Sequence, residues 1–104
     1  MKPLSLLEIN DNYVQTAWQY NKEEMLIIAI YRKVDGRFMM SQLRGPWSAY
    51  DANTNTTKDD PDSGLKKIAA SYAVNLLDQL NSGDRGLEQA KSKWARDGAA
   101  VYDF

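Results

Sequence analysis

Apolar positions alternate with a period of two over residues 12–20, where Val14, Thr16, Trp18 and Tyr20 recur at every second place. Side chains of β-branched and aromatic type on that spacing predict a strand. Residues 25–33 follow with an almost unbroken apolar run, Met25-Leu26-Ile27-Ile28-Ala29-Ile30-Tyr31, the strongest strand signal in the chain. Asp35-Gly36 then favours a type I′ turn, which needs positive φ at both central residues. Residues 37–43 return antiparallel, and Asn21-Lys22 offers the turn on the other side. The front of the chain is therefore expected to be a three-stranded meander with residues 25–33 in the middle.

A two-residue turn at Asp35-Gly36 sets Val34 opposite Arg37, Arg32 opposite Met39, Ile30 opposite Ser41 and Ile28 opposite Leu43. One face then carries Leu26, Ile28, Ile30, Met39 and Leu43, joined by Tyr13 and Ala17. The other carries Met25, Ile27, Ala29, Tyr31, Phe38 and Met40, joined by Val14, Thr16 and Trp18. An antiparallel sheet with one wet face alternates apolar with polar. The middle strand does not, so both faces call for cover.

The period changes in the back half. Leu65, Ile68, Ala69, Tyr72, Ala73, Leu76, Leu77 and Leu80 follow the i, i+3, i+4, i+7 rule and predict a helix over 64–81, capped by Asp62 or Ser63 and stopped by Gly83. Asp84 is placed to cap a shorter helix over 85–96, with Leu87, Ala90 and Trp94 on one side and Gly98 at its end. Residues 44–63 lack periodicity apart from a short fourth strand around Trp47 to Tyr50, and read as a long acidic loop. Leu4 to Ile9 suits a strand or a helical turn equally. Ala100, Val101, Tyr102 and Phe104 form an apolar tail, either an edge strand or a packed terminus. The expected architecture over residues 1–104 is a single α+β domain: a three- to four-stranded antiparallel meander packed against one long amphipathic helix, with a second short helix near the C-terminus. The long helix roofs one sheet face, and the cover of the other is left open.

Composition narrows the function. The 104 residues contain no histidine and no cysteine, and 13 basic side chains stand against 14 acidic ones. The two zeros exclude Ser-His-Asp and Cys-His nucleophile systems, Cys/His zinc sites, disulfides and imidazole acid–base chemistry. The N-terminal apolar run is too short for a secretory segment, and no run approaches a membrane span, so the cytoplasm is the expected compartment. Neither G-x-x-x-x-G-K-[ST] nor G-x-G-x-x-G occurs, and the adjacent carboxylates Glu23-Glu24 and Asp59-Asp60 have no apolar pocket assigned to them. The expectation is no enzyme and no cofactor.

Three constellations remain. Counting from Asp51, the calcium-loop positions hold Asp51, Asn53, Asn55, Thr57, Asp59 and Asp62, but Thr56 replaces the required glycine and Lys58 an apolar residue. No metal site is assigned. Arg32, Lys33, Arg37 and Arg44, interleaved with Tyr31 and Phe38, have the make-up of a single-stranded nucleic-acid surface, although the chain lacks the usual basic excess. Methionines and tryptophans supply adaptable anchors for a protein partner. The leading expectation is a non-enzymatic protein-binding domain of inhibitor or adaptor type, such as bacteria and phages encode to block a host or rival protein. Its contact residues would be Met25, Phe38, Met40, Trp47 and Tyr50, with Asp51, Asp59, Asp60 and Asp62 steering towards a basic partner such as a nucleic-acid-handling protein. A homodimer and a nucleic-acid binder working through the basic hairpin are the alternatives.

Overall fold

The computed structural model describes residues 2–10, 12–20, 25–45, 47–51, 56–59 and 64–103. Its elements are β1 (Lys2–Asn10), β2 (Tyr13–Tyr20), β3 (Met25–Val34), β4 (Arg37–Arg44), β5 (Ser48–Asp51), β6 (Thr56–Asp59), α1 (Gly64–Leu80), α2 (Gly86–Arg96) and β7 (Ala100–Asp103). The α+β class and the two helices agree with the sequence pattern. The main sheet is larger than expected and mixed, with five strands in the order β4-β3-β2-β1-β7. Strands β1 to β4 form an antiparallel meander, and β7 lies parallel to β1, with Leu6 opposite Val101. The two ambiguous ends of the sequence thus become neighbouring strands.

Three bulges explain where pattern and structure part. In β1 the pairing slips between Pro3 and Ser5 and again between Glu8 and Asn10. Each slip inserts one residue and breaks the period of two, which is why Leu4 to Ile9 reads as neither strand nor helix. In β4 the slip falls at Ser41, so Met40 pairs with Tyr31 but Gln42 pairs with Ile30 and Leu43 with Ala29. The expected pairings Ile30 to Ser41 and Ile28 to Leu43 are therefore incorrect, and Leu43 turns to the opposite face from Ile28. The hairpin turn itself agrees with its sequence: φ is 51° at Asp35 and 81° at Gly36.

Residues on one sheet face form rows beneath the helices. One row runs Val101, Leu6, Thr16, Ala29, Leu43; the next runs Val14, Tyr31, Met40. Trp18 and Ile27 extend the same face. Helix α1 lays Ala69, Ala73, Leu76 and Leu80 against it, and α2 adds Ala90 and Trp94. Ile68 and Tyr72, which the helical period assigns to the apolar stripe, are exposed, because the contact follows the narrower line of Ala69 and Ala73. Those two alanines carry so little bulk that the Tyr31 hydroxyl reaches the helix backbone and donates to the Ala73 carbonyl at 2.8 Å. Thr16 donates from Oγ1 to the Ala29 carbonyl at 3.2 Å. Burial pushes the Tyr31 phenol well above its ordinary range, and a side-chain hydrogen bond with Thr16 only partly opposes this. Trp18 and Trp94 meet edge to face, with ring centroids 5.2 Å apart.

The helix ends are set by backbone geometry. A Cβ at Gly86 would lie 2.4 Å from the Gln79 carbonyl oxygen, so the start of α2 abuts the end of α1 more closely than any other residue allows. Asp84 does not cap α2 as its position suggests: the N-cap is Arg85, which makes no side-chain cap bond. The Gly86 amide bonds to the Gly83 carbonyl instead, at 3.3 Å. At the other end Ala99 donates to the Trp94 carbonyl and Gly98 to the Ala95 carbonyl, a Schellman motif made possible by φ of 89° at Gly98.

The middle of the chain is not a plain loop. Strands β5 and β6 form a separate two-stranded antiparallel sheet, with Ser48 opposite Asp59 and Asp51 opposite Thr56. Among the described residues, no helix is long and apolar enough to cross a membrane.

Candidate functional site: the open face of the sheet

Both helices pack on one side of the sheet, and among the described residues no element covers the other side. Its rows follow from the same register. Tyr102, Leu7, Gln15, Ile30 and Gln42 form one, and Ala100, Ser5, Ala17, Ile28 and Arg44 the next. Towards the ends lie Tyr13, Arg32 and Met39 on one side and Lys2, Gln19 and Leu26 on the other. Leu26 is 48% exposed, Met39 58% and Tyr102 55%, with Ile28, Ile30 and Leu7 half-buried between them. The centre of this face is thus aliphatic and incompletely covered, and glutamines interrupt it.

Its charge has one sign. Lys2, Arg32, Arg37 and Arg44 stand at its register positions, and no carboxylate does among the described residues. The Arg32 guanidinium lies over the Tyr13 ring, 5.9 Å from its centroid, which holds the charge above an aromatic plate. The acidic groups sit elsewhere. Glu8 points to the helix side and forms an ion pair with Lys91, which also meets Glu88. A chain with a net charge of -1 therefore presents a cationic sheet face.

The residues expected to make contact are mostly not on this face. Phe38 and Met40 lie on the roofed side, in or against the core, and so cannot form an open methionine and aromatic patch. The helices cover that side because it carries the bulkier rows, from Val14 and Trp18 to Tyr31. Trp47, the tryptophan expected to stand out, is buried. Its ring folds over Gly45, where a Cβ would come within 2.3 Å of it. All three tryptophans are buried. The side chains of Met25, Tyr50, Asp51 and Asp59, and the whole of Asp60 and Asp62, lie outside the described residues. So do Glu23 and Glu24.

The basic hairpin is divided between two sides. Arg32, Arg37 and Arg44 share the open face, whereas Lys33 lies over the Phe38 ring at 5.4 Å on the other. Tyr31 and Phe38 are buried and offer no stacking platform to a base. The backbone of Asp51, Thr57 and Asp59 is drawn out along β5 and β6 rather than wound around one centre, which is not the backbone of a calcium loop. Among the described residues no group of three or more acidic side chains could hold a metal ion.

One sequence signal does identify the wet face. Gln15, Gln19 and Gln42 fall on the same side once the strands are paired, opposite Val14, Thr16 and Trp18. Tyr13 and Tyr102 belong to that face as well, and Tyr102 joins it only because β7 pairs with β1. No protein family, no curated protein and no solved structure matches this chain.

Proposed function

We propose that the chain is a non-enzymatic protein-binding domain of the inhibitor or adaptor type, and that its open sheet face docks on an acidic surface of another protein. The observation that supports this reading is the pairing, on one unroofed face, of exposed Leu26 and Met39 with Arg32, Arg37 and Arg44. Apolar groups left in water at the centre of a flat surface gain by being covered, and basic groups around them select the sign of the cover. Four strands of eight to ten residues, about 4.8 Å apart and rising about 3.3 Å per residue, with the four-residue β7 beside them, make a face of at most roughly 19 by 26 Å, shorter along its β7 border. That is the scale of a standard footprint, about 800 Å² of accessible surface on each partner.

Charge also ranks the alternatives. In a symmetric dimer through this face, each patch would meet its own copy, and arginine would face arginine. A second copy is therefore a poorer occupant than a foreign acidic surface. A single-stranded nucleic acid would satisfy the arginines, but the aromatic rings of the basic hairpin are turned inwards.

The test is affinity capture from the encoding organism with the whole chain as bait, read by mass spectrometry. Arg32→Glu/Arg44→Glu should deplete the captured protein by about tenfold or more, while Lys67→Glu, an exposed position on α1, should leave it unchanged. Equal capture by all three baits would refute the reading. Salt-dependent retention of a single-stranded oligonucleotide in place of a protein would transfer it to nucleic acid.

A further inference from the structure

On the helix side, a cleft of about 270 Å³ opens between α1, α2 and the ends of β1 and β2. Its walls include Trp18 and Trp94, the edge-to-face pair, and Tyr72 stands at its rim. Polar side chains line it as well: Asn75 and Gln79 from α1, Lys93 from α2, and Asp97 at the C-cap of α2. Lys93 and Asp97 are one helical turn apart, close enough to pair, yet among the described residues they form no ion pair with each other or with any other side chain. Asn75 makes no side-chain hydrogen bond among the described residues. The cleft thus combines two largely buried indole rings with a cation, an anion and an amide that have no side-chain partner among the described residues.

We infer that this cleft is a binding site for a free aromatic amino acid. The ring of such a ligand would lie against Trp18 and Trp94, its carboxylate on Lys93 and its ammonium on Asp97. The volume is near the lower end of the usual range for ligand pockets, about 300 Å³, which suits one metabolite and not a large cofactor. Opposite charges at i and i+4 have Cβ atoms about 5–6 Å apart, a span that the adjacent charges of a zwitterion can bridge. A ligand with one charge leaves the other group at the mouth unmatched. This site is separate from the open sheet face, so the two proposals stand or fall independently.

The chain supplies its own reporters, because it has three tryptophans and hence three indole N–H signals. Two belong to the cleft and Trp47 does not line it. Uniformly ¹⁵N-labelled protein is titrated with L-phenylalanine, the signals being assigned with Trp94→Phe and Trp47→Phe. The indole signals of Trp18 and Trp94 should shift saturably while that of Trp47 stays in place. Phenethylamine and 3-phenylpropanoate, each lacking one charge, should bind at least about fivefold more weakly. Lys93→Gln and Asp97→Asn, both exposed and harmless to the fold, should weaken phenylalanine by a similar factor. The proposal is overturned if no signal moves at roughly 10 mM ligand, the millimolar limit of specific binding. It is also overturned if the singly charged analogues bind as well, or if all three indoles shift together.

Discussion

Asn81 pairs with both backbone groups of Phe38. Its Oδ1 accepts from the Phe38 amide at 2.8 Å and its Nδ2 donates to the Phe38 carbonyl at 2.9 Å. Phe38 lies in β4, an outermost strand of the five, so these two groups face away from the sheet and would otherwise be open to another chain. A single side-chain amide just past the end of α1 thus occupies a strand position, fastens the helix to the sheet and closes part of an edge.

Asn81→Ala should therefore destabilise the fold by about 1–3 kcal/mol, since both Phe38 groups are part-buried and lose their partners together. Asn81→Asp should cost at least as much, because the carboxylate keeps the acceptor but sets a negative charge against the Phe38 carbonyl. Urea denaturation checks both. Light scattering should also show more self-association of Asn81→Ala than of the parent chain, through the uncovered edge of β4.

The Tyr31 phenol gives a pH dependence whose sign follows from its burial. Its folded-state pKa is raised, so the folded state holds that proton more tightly than the unfolded chain does. The resulting stability is present in full below the unfolded value of about 10 and is lost as the pH rises beyond it. Denaturation midpoints measured across the alkaline range should fall in the parent chain. Tyr31→Phe should flatten that fall, at a cost near neutrality of about 1 kcal/mol from the lost bond to the Ala73 carbonyl.

Gly86 should tolerate no side chain. Gly86→Ala places a methyl group against the Gln79 and Leu80 carbonyl oxygens, and moving two helix ends apart should cost about 1–3 kcal/mol. Gly64→Ala is the matched control: no atom lies within 4 Å of the added carbon, and alanine is the better helix former, by less at this first position of α1 than the roughly 1 kcal/mol of a helix interior. Thermal unfolding should move in opposite directions for the two variants.

The ion pair of Glu8 with Lys91 joins β1 to α2, and both side chains are mostly buried. Glu8→Gln should destabilise by about 1–3 kcal/mol, whereas Glu88→Gln, whose carboxylate is largely in water, should change stability by less than about 0.5 kcal/mol. A double-mutant cycle with Lys91→Met should return a coupling for Glu8 several times that for Glu88.

Much of this fold is legible in the residues. The Asp35-Gly36 turn, the central strand and both helices follow from periodicity and turn chemistry that act over a few neighbours. What escapes is non-local. A bulge is invisible in a binary pattern, because one inserted residue at Ser41 leaves the composition of β4 unchanged while it reverses the face of Leu43. The identity of the open face was within reach: Gln15, Gln19 and Gln42 mark it, but the aliphatic strength of Leu26, Ile28 and Ile30 outweighs them when strands are judged one at a time. The burial of Trp47 depends on Gly45 allowing a ring to lie across the backbone, a contact that no spacing announces. The Asn81 clamp and the Trp18–Trp94 pair each join distant segments, so neither has a local signature.

The parallel seam between β1 and β7 orders the assembly of the molecule. Ser5 and Ala100 are partners across almost the whole length of the sequence, and a contact so remote along the chain is slow to close. The meander and the helix pair rest on nearer contacts and can form ahead of it. Until the last strand arrives, the flank of the first stays bare. During synthesis the ribosome must therefore release the chain as far as Asp103 before this sheet acquires its final border, and that interval is when the nascent molecule is most exposed to pairing with a neighbour.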